Sequence, residues 1–221
     1  VSKNHQIFPK LIDFYDDYLE DGDVERFVAR TAEVYLQGTL CRLLKHGHPR
    51  VRRAAALALG FLGDYRANPA LGEALKDPDR PVRLLAEEAI RSVWLRPGIP
   101  GLDRELRFLN RLASARLYSK VVEKATELLS TVSNIPEVYY LRGSAFFAQE
   151  KYEEAVRDHH MALELNPYHF LAATGMGYAL VKLRNLRGAL DAFRRALKIN
   201  PNLEGVRLEI HRIRRLLGEV F

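Results

Sequence analysis

Residues 143–167 read GSAFFAQEKYEEAVRDHHMALELNP, residues 177–201 read GYALVKLRNLRGALDAFRRALKINP, and the second stretch repeats the first at a step of 34. Gly143 returns as Gly177, Ala145 as Ala179, Ala155 as Ala189, Ala162 as Ala196, Leu163 as Leu197, and Asn166-Pro167 as Asn200-Pro201. A fixed period of roughly 20 to 50 residues marks a repeat architecture, in which each unit buries its apolar face against the next. Small residues at Gly143/Gly177 and Ala155/Ala189 let two antiparallel helices approach closely. Pro167 and Pro201 end the second helix, because the residue before a proline is steered out of the helical region. Each copy therefore predicts a helix hairpin.

Working back one period from Tyr152 reaches Tyr118, and residues 102–135 then read as a degenerate third hairpin with Leu109 where the glycine should stand. Working forward, Leu203, Val206, Ile210, Ile213 and Leu217 fall on one face at steps of three and four, the pattern of an amphipathic helix that caps the last repeat. The first half has its own period, 31: Val51 returns as Val82, Arg52 as Arg83, Ala55 as Ala86, Ala58 as Ala89, Leu59 as Ile90, and, one helix earlier, Leu40 as Leu71 and Leu44 as Leu75. Before Thr31, a stretch including Phe8 to Leu19 predicts one or two irregular capping helices. The run Arg96-Pro97-Gly98-Ile99-Pro100-Gly101 breaks any helix, which sets the expected domains at 1–96 and 102–221 with a linker at 97–101.

Tyr139, Gly143, Phe146, Tyr152, Ala155, Ala162 and Pro167, followed by Gly177, Leu180, Ala189, Phe193, Ala196 and Pro201, stand at the signature spacings of tetratricopeptide repeats, and the second half resembles that family. Arg142 and Ala173 at usually large apolar positions, and Glu150 at a common turn glycine, depart from its pattern. The Asp77-Pro78 turn ahead of Val82-Arg83, and the alanine-rich run 54–60 of the preceding copy, resemble HEAT-like repeats of the phycobilisome-lyase type over about Thr31 to Leu95. These resemblances imply an all-α, α/α superhelical solenoid and a non-enzymatic scaffold for a protein or peptide partner. In the tetratricopeptide family the first helix of each hairpin lines a concave groove. Carried onto this chain, those positions are Glu137, Tyr140, Ser144, Phe147 and Ala148, then Leu171, Thr174, Tyr178, Val181 and Lys182, with Asn110 in the degenerate unit. The implied groove is aromatic and largely uncharged. Tyr140, Ser144, Thr174 and Tyr178 replace most of the lysines, arginines and asparagines with which some members hold a terminal carboxylate.

Charge raises the alternative of a nucleic-acid-binding surface. The chain of 221 residues carries a formal +6, and all of it lies in residues 182–221, where ten Lys and Arg face four Asp and Glu. Arg207, Arg212, Arg214 and Arg215 make that end basic, and Arg50, Arg52, Arg53, Arg80 and Arg91 make a second candidate strip in the first half. In HEAT-like units the arginine at the position of Arg52 and Arg83 pairs with an aspartate six residues earlier; Asp77 serves Arg83, while His46 stands in that place for Arg52 and leaves it the freer of the two. Asp13 to Glu25 holds seven carboxylates and no base, so weak head-to-tail association of a monomer is expected at low salt.

Catalysis has no foothold in the sequence. Gly175-Met176-Gly177 lies in the repeat register and is not a phosphate loop; His46 and His48 lack a third ligand; His159 and His160 point about 100° apart on a helix. His159 takes the slot of Phe193 one repeat later and reads as a packed core histidine, Cys41 as a buried thiol, and Trp94 as a seal at the end of its helix. No cofactor or metal is expected. A single cysteine and the lack of any run of roughly 20 apolar residues point to a cytoplasmic chain without a membrane span, although Val1 leaves room for a segment upstream.

Overall fold

A computed structural model describes residues 9–219 of the protein. Among these residues are thirteen α-helices, one 3-10 turn and no strand, and they divide into two compact units between Arg96 and Pro97. None of the helices is long and apolar enough to cross a membrane.

The first unit comprises α1 (Leu11–Asp21), α2 (Val24–Val34), α3 (Gln37–Leu43), α4 (Pro49–Leu62), a 3-10 turn (Tyr65–Ala67), α5 (Asn68–Ala74) and α6 (Arg80–Trp94). Its helix starts are chemically marked. The Asp23 carboxylate accepts the Arg26 N–H and the Asp79 carboxylate the Val82 N–H, while α4, α5 and α6 each carry proline in the first turn, where no helical N–H is lost. Val51, Ala55, Ala58 and Leu59 on α4 and Val82, Ala86, Ala89 and Ile90 on α6 are all buried, and these two helices pack together. The stripe is rich in alanine, so the core is thin and the helices lie close. Trp94 closes it from the end of α6, buried and donating its Nε1–H to Asn68 Oδ1 at 2.8 Å. Phe8 lies outside the described residues. The stretch before Thr31 is more regular than its sequence predicts, since α1 and α2 are full three-turn helices anchored by Leu11, Phe14, Tyr15 and Phe27.

The second unit comprises α7 (Leu102–Ser114), α8 (Tyr118–Thr131), α9 (Pro136–Ala148), α10 (Tyr152–Leu165), α11 (Phe170–Lys182), α12 (Leu186–Ile199) and α13 (Glu204–Leu216). Helices pair as α7–α8, α9–α10 and α11–α12, and the first helices of successive hairpins are neighbours, α7 with α9 and α9 with α11. One turn recurs four times at the 34-residue step. The N–H groups of Leu117, Lys151, Asn185 and Glu219 donate to the carbonyls of Leu112, Phe146, Leu180 and Arg214 at 2.9–3.1 Å. The residue just before each of these donors is left-handed: Arg116 at φ 58°, Glu150 at 61°, Arg184 at 61° and Gly218 at 70°. This six-to-one closure satisfies carbonyls at a helix C-terminus. It shows α7 to end as α9 and α11 do, and it shows the same of α13.

Between hairpins the chain is fixed by two wholly buried asparagines, whose Oδ1 atoms accept the N–H two residues on, Asn166 from Tyr168 and Asn200 from Asn202, each at 3.0 Å. The repeat glycine has a steric reason. A Cβ added at Gly177 would stand 2.5 Å from the Phe193 ring, so only hydrogen fits where α11 meets α12. Arg142, at a usually apolar position, is accommodated by a bidentate pair with Asp158 at 2.7 and 2.8 Å and by the rings of Tyr139 and Phe146 beneath its guanidinium.

Candidate functional site

Four of the sequence-predicted groove residues come together. Phe147 from α9 and Tyr178, Val181 and Lys182 from α11 line a cavity of about 300 Å³, joined by Arg184 from the turn after α11 and by Glu209 and Arg212 from α13. The two aromatic rings are held from behind. Phe147 packs edge-on against Tyr152, the first residue of α10, with centroids 5.5 Å apart, and Tyr178 against Phe193 of α12 at 5.1 Å. Backed in this way, each keeps its remaining surface available, and Tyr178 is 37% exposed. Burial, reinforced by the nearby Glu209 carboxylate, pushes the Tyr178 phenol above its ordinary pKa. The lining is therefore three uncharged side chains, Phe147, Tyr178 and Val181, together with the cations Lys182, Arg184 and Arg212 and the carboxylate of Glu209. This corrects the expectation of a largely uncharged groove.

The other predicted positions do not reach this cavity. Tyr140 is half-buried and its ring lies on His169, with centroids 4.7 Å apart, and near His159 at 5.8 Å. Thr174 donates its hydroxyl to the Phe170 carbonyl at 2.9 Å, and Ser144 is half-buried on α9. Asn110 is half-buried on α7. A second cavity of about 370 Å³ between α7 and α8 is lined by Glu105, Phe108, Leu109, Lys124, Glu127, Leu128 and Thr131, without Asn110. Glu137 is not a groove residue. It is buried, with Oε2 3.1 Å from His169 Nε2, and because His169 Nδ1 accepts the Ala172 N–H, the proton between imidazole and carboxylate belongs to Nε2. His159 is a packed core histidine, as its slot predicts. Desolvation, then the proximity of His169, lowers its pKa to about 3, and Gly175 leaves room for it, since a Cβ there would come within 2.5 Å of Nε2.

Sequence reading missed Glu209 and Arg212 as groove residues, although for Arg212 a signal was present. One more step of 34 from the groove positions of α11 lands on Gly205, Leu208, Arg212, Arg215 and Leu216. Treating α13 only as a cap stopped the register one helix early. Leu208 and Leu216 are among the most exposed large apolar residues of the protein, at 70% and 66%.

The candidate basic strip of the first unit is corrected by its ion pairs. Arg52, expected to be the freer arginine, is the most enclosed. It makes a bidentate pair with Asp77 at 2.7 and 2.8 Å, both side chains nearly buried, and also donates to the carbonyls of His46 and Gly47. Arg83 meets the carbonyl of Asp77 at 2.9 Å, while the Asp77 carboxylate goes to the preceding repeat. Arg53 is bidentate on Asp79 and Arg50 pairs with Asp16. Arg80 and Arg91 are exposed on α6. At the C-terminal end, Arg207 donates to the Pro201 carbonyl at 2.6 Å and lies 3.8 Å from Glu204, Arg212 lies 3.8 Å from Glu209, Arg214 is half-buried and Arg215 is exposed. The acidic stretch is likewise partly neutralised, since Asp16, Asp17 and Asp21 pair with Arg50, Arg30 and Arg26.

Among the described residues no group of three or more His, Cys, Asp or Glu is placed to hold a metal. His46 Nδ1 accepts the His48 N–H at 3.1 Å, reproducing with an imidazole the turn that Asp77 Oδ1 makes with Asp79 N–H. Cys41 is half-buried, not buried as expected, and desolvation together with Asp64 pushes its thiol pKa up, which makes it a poor nucleophile.

HEAT repeats are matched over residues 9–91 and tetratricopeptide repeats over residues 136–169 and 172–203. The chain is thus a HEAT and tetratricopeptide repeat protein, and the HEAT match takes in α1 and α2 as well as the later hairpins. Among solved structures it is similar to the first TPR of Spaghetti (RPAP3), a structure bound to the HSP90 peptide SRMEEVD, with 24% identity and a TM-score of 0.50 over 52% of this chain and 90% of that one. It is also similar to the Sgt2 TPR domain from Aspergillus fumigatus, with 22% identity and a TM-score of 0.51 over 55% of this chain and 82% of that one. At these identities the likeness is one of fold.

Proposed function

We propose that this chain is a protein-interaction scaffold whose second unit holds a segment of a partner protein in the groove formed by α9, α11 and α13. The observation that carries this reading is the cavity itself: Phe147, Tyr178 and Val181 are its uncharged lining, two of them stiffened by rings behind them. A rigid aromatic anchor buries much apolar area at little entropic cost, and such residues dominate the affinity of peptide sites. Lys182 joins the lining with an exposed side chain. A tetratricopeptide structure of similar fold holds a peptide, which supports the mode of use. The contacts of this groove are its own, because Tyr140, Ser144, Thr174 and Tyr178 stand where a terminal-carboxylate site would need cations and amides.

A scaffold is preferred to an enzyme because the strongly shifted histidine, His159, is sealed in the core and lines neither of the two cavities described above. A nucleic-acid surface is disfavoured because Arg50, Arg52 and Arg53 already hold carboxylates. The test is a double replacement, Phe147→Ala with Tyr178→Ala, in the intact protein. Binding of a partner peptide should weaken by about 1 to 4 kcal/mol in total, with the melting temperature lowered by only a few degrees. A sharp fall in melting temperature with affinity intact would make both rings packing residues and remove the site.

A further inference from the structure

The four-fold turn gives α13 a second role. Because its helix ends in the same left-handed closure as α7, α9 and α11, it occupies the position of a first helix in a fourth step of the repeat. First helices are those that line the groove. On α13 the equivalent positions are Gly205, Leu208, Arg212, Arg215 and Leu216; Arg212 lines the cavity, and Leu208, Arg215 and Leu216 are exposed on the same helix. Its opposite face, Val206, Ile210 and Ile213, is buried and α13 packs on α12, so the exposed leucines are not needed to close the core. A helix that served only to shield the last repeat would present a polar outer face.

We infer that α13 is a wall of the binding groove and that it selects an acidic segment of a partner protein carrying an apolar side chain. This rests on the groove reading above and adds the chemistry of the occupant. The apolar side chain would sit on Phe147, Tyr178 and Val181, with flanking carboxylates reaching Lys182, Arg184, Arg212 and Arg215. Charge complementarity points to this occupant, since three cations and one carboxylate surround the cavity and Arg215 lies one turn beyond Arg212. Glu209 argues against a nucleic-acid strand. Its side chain is 23% exposed, it lines the cavity 3.8 Å from Arg212, and it would repel a continuous run of phosphates while leaving room for separate carboxylates.

The experiment is selection from a library of random twelve-residue peptides displayed internally, so that no free terminal carboxylate is offered, on the intact protein at low salt. Selected peptides should carry Asp or Glu on either side of an aromatic or aliphatic residue. Their affinity should fall about 5-fold to 10-fold with Arg212→Glu and again with Arg215→Glu, both solvent-exposed changes that spare the fold, and it should fall with salt. Leu208→Ser with Leu216→Ser should weaken binding without lowering the melting temperature. Peptides that depend on Phe147 and Tyr178 but are neutral, or are indifferent to every α13 change, would overturn this inference and leave the groove reading standing. Acidic peptides that depend on Arg212 but not on Phe147 or Tyr178 would overturn the groove reading, and this inference with it. Selection of no sequence pattern, or displacement of the selected peptides by a twelve-nucleotide single-stranded DNA at lower concentration than by an acidic peptide, would overturn the inference as well.

Discussion

His159 illustrates how a repeat tolerates a polar residue in an apolar slot. Its imidazole is almost wholly enclosed, its Nδ1 has no hydrogen-bond partner among the described residues, and its pKa falls to about 3, so it is neutral in the native state at any ordinary pH. In the unfolded chain the group protonates near 6.5. The unfolded state therefore binds the proton first, and stability contributed by the neutral form is complete above about pH 6.5 and lost as pH falls toward 3. At pH 5 this group alone should cost about 2 kcal/mol relative to neutral pH. Urea midpoints at the two pH values check this, and His159→Leu should remove most of that difference; an unchanged difference would contradict the assignment. The Asp77 carboxylate illustrates the reverse, a nearly buried acid matched by a bidentate guanidinium between repeats. Because removing one member of a nearly buried pair strands the other, Asp77→Ala should destabilise by about 3 kcal/mol in thermal or urea unfolding. From sequence the histidine was legible, since the period aligns it with Phe193. The Asp77 pairing was not, because the period relates equivalent residues and the bond joins non-equivalent ones, Arg52 of one repeat and Asp77 of the next.

The helices themselves were legible because three signals agreed: period, small residues at close approaches, and prolines after the second helix. Gly177 facing Phe193 and Asn166 before Pro167 are the physical counterparts of those signals. What the period could not convey was the conformation of the turn. Glu150 departs from the usual glycine yet remains left-handed at φ 61°, as does Arg184. Such a backbone costs a residue with a side chain about 1 kcal/mol or more relative to glycine, offset only in part by the greater freedom of glycine in the unfolded chain. Glu150→Gly should therefore raise stability by about 0.5 to 1 kcal/mol, measured by urea unfolding, and a loss of stability would contradict the turn. The same reasoning shows why α13 was read too narrowly. Its amphipathic stripe identifies a buried face, but only the register shared with α9 and α11 identifies the exposed one.

Taken through the chain, the charge asymmetry visible in the sequence is redistributed by folding. Asp16, Asp17 and Asp21 are paired within the first unit, and Arg212 turns toward the groove cavity. With three of the seven acids of that stretch already paired, the attraction left for a second copy is small and screened, so the sedimentation coefficient should be insensitive to ionic strength near physiological salt; a rise at low salt that grows with protein concentration would restore the head-to-tail contact. The central claim is that a partner segment is held by the first-helix face of the second unit. Hydrogen exchange of the intact protein with and without a saturating selected peptide tests it most directly. Binding rigidifies the backbone it touches, so slower exchange should concentrate in α9, α11 and α13 while residues 9–96 and the α8 and α12 amides stay unchanged. Protection confined to residues 9–96, or spread over α8 and α12 with α11 unaffected, would contradict the account.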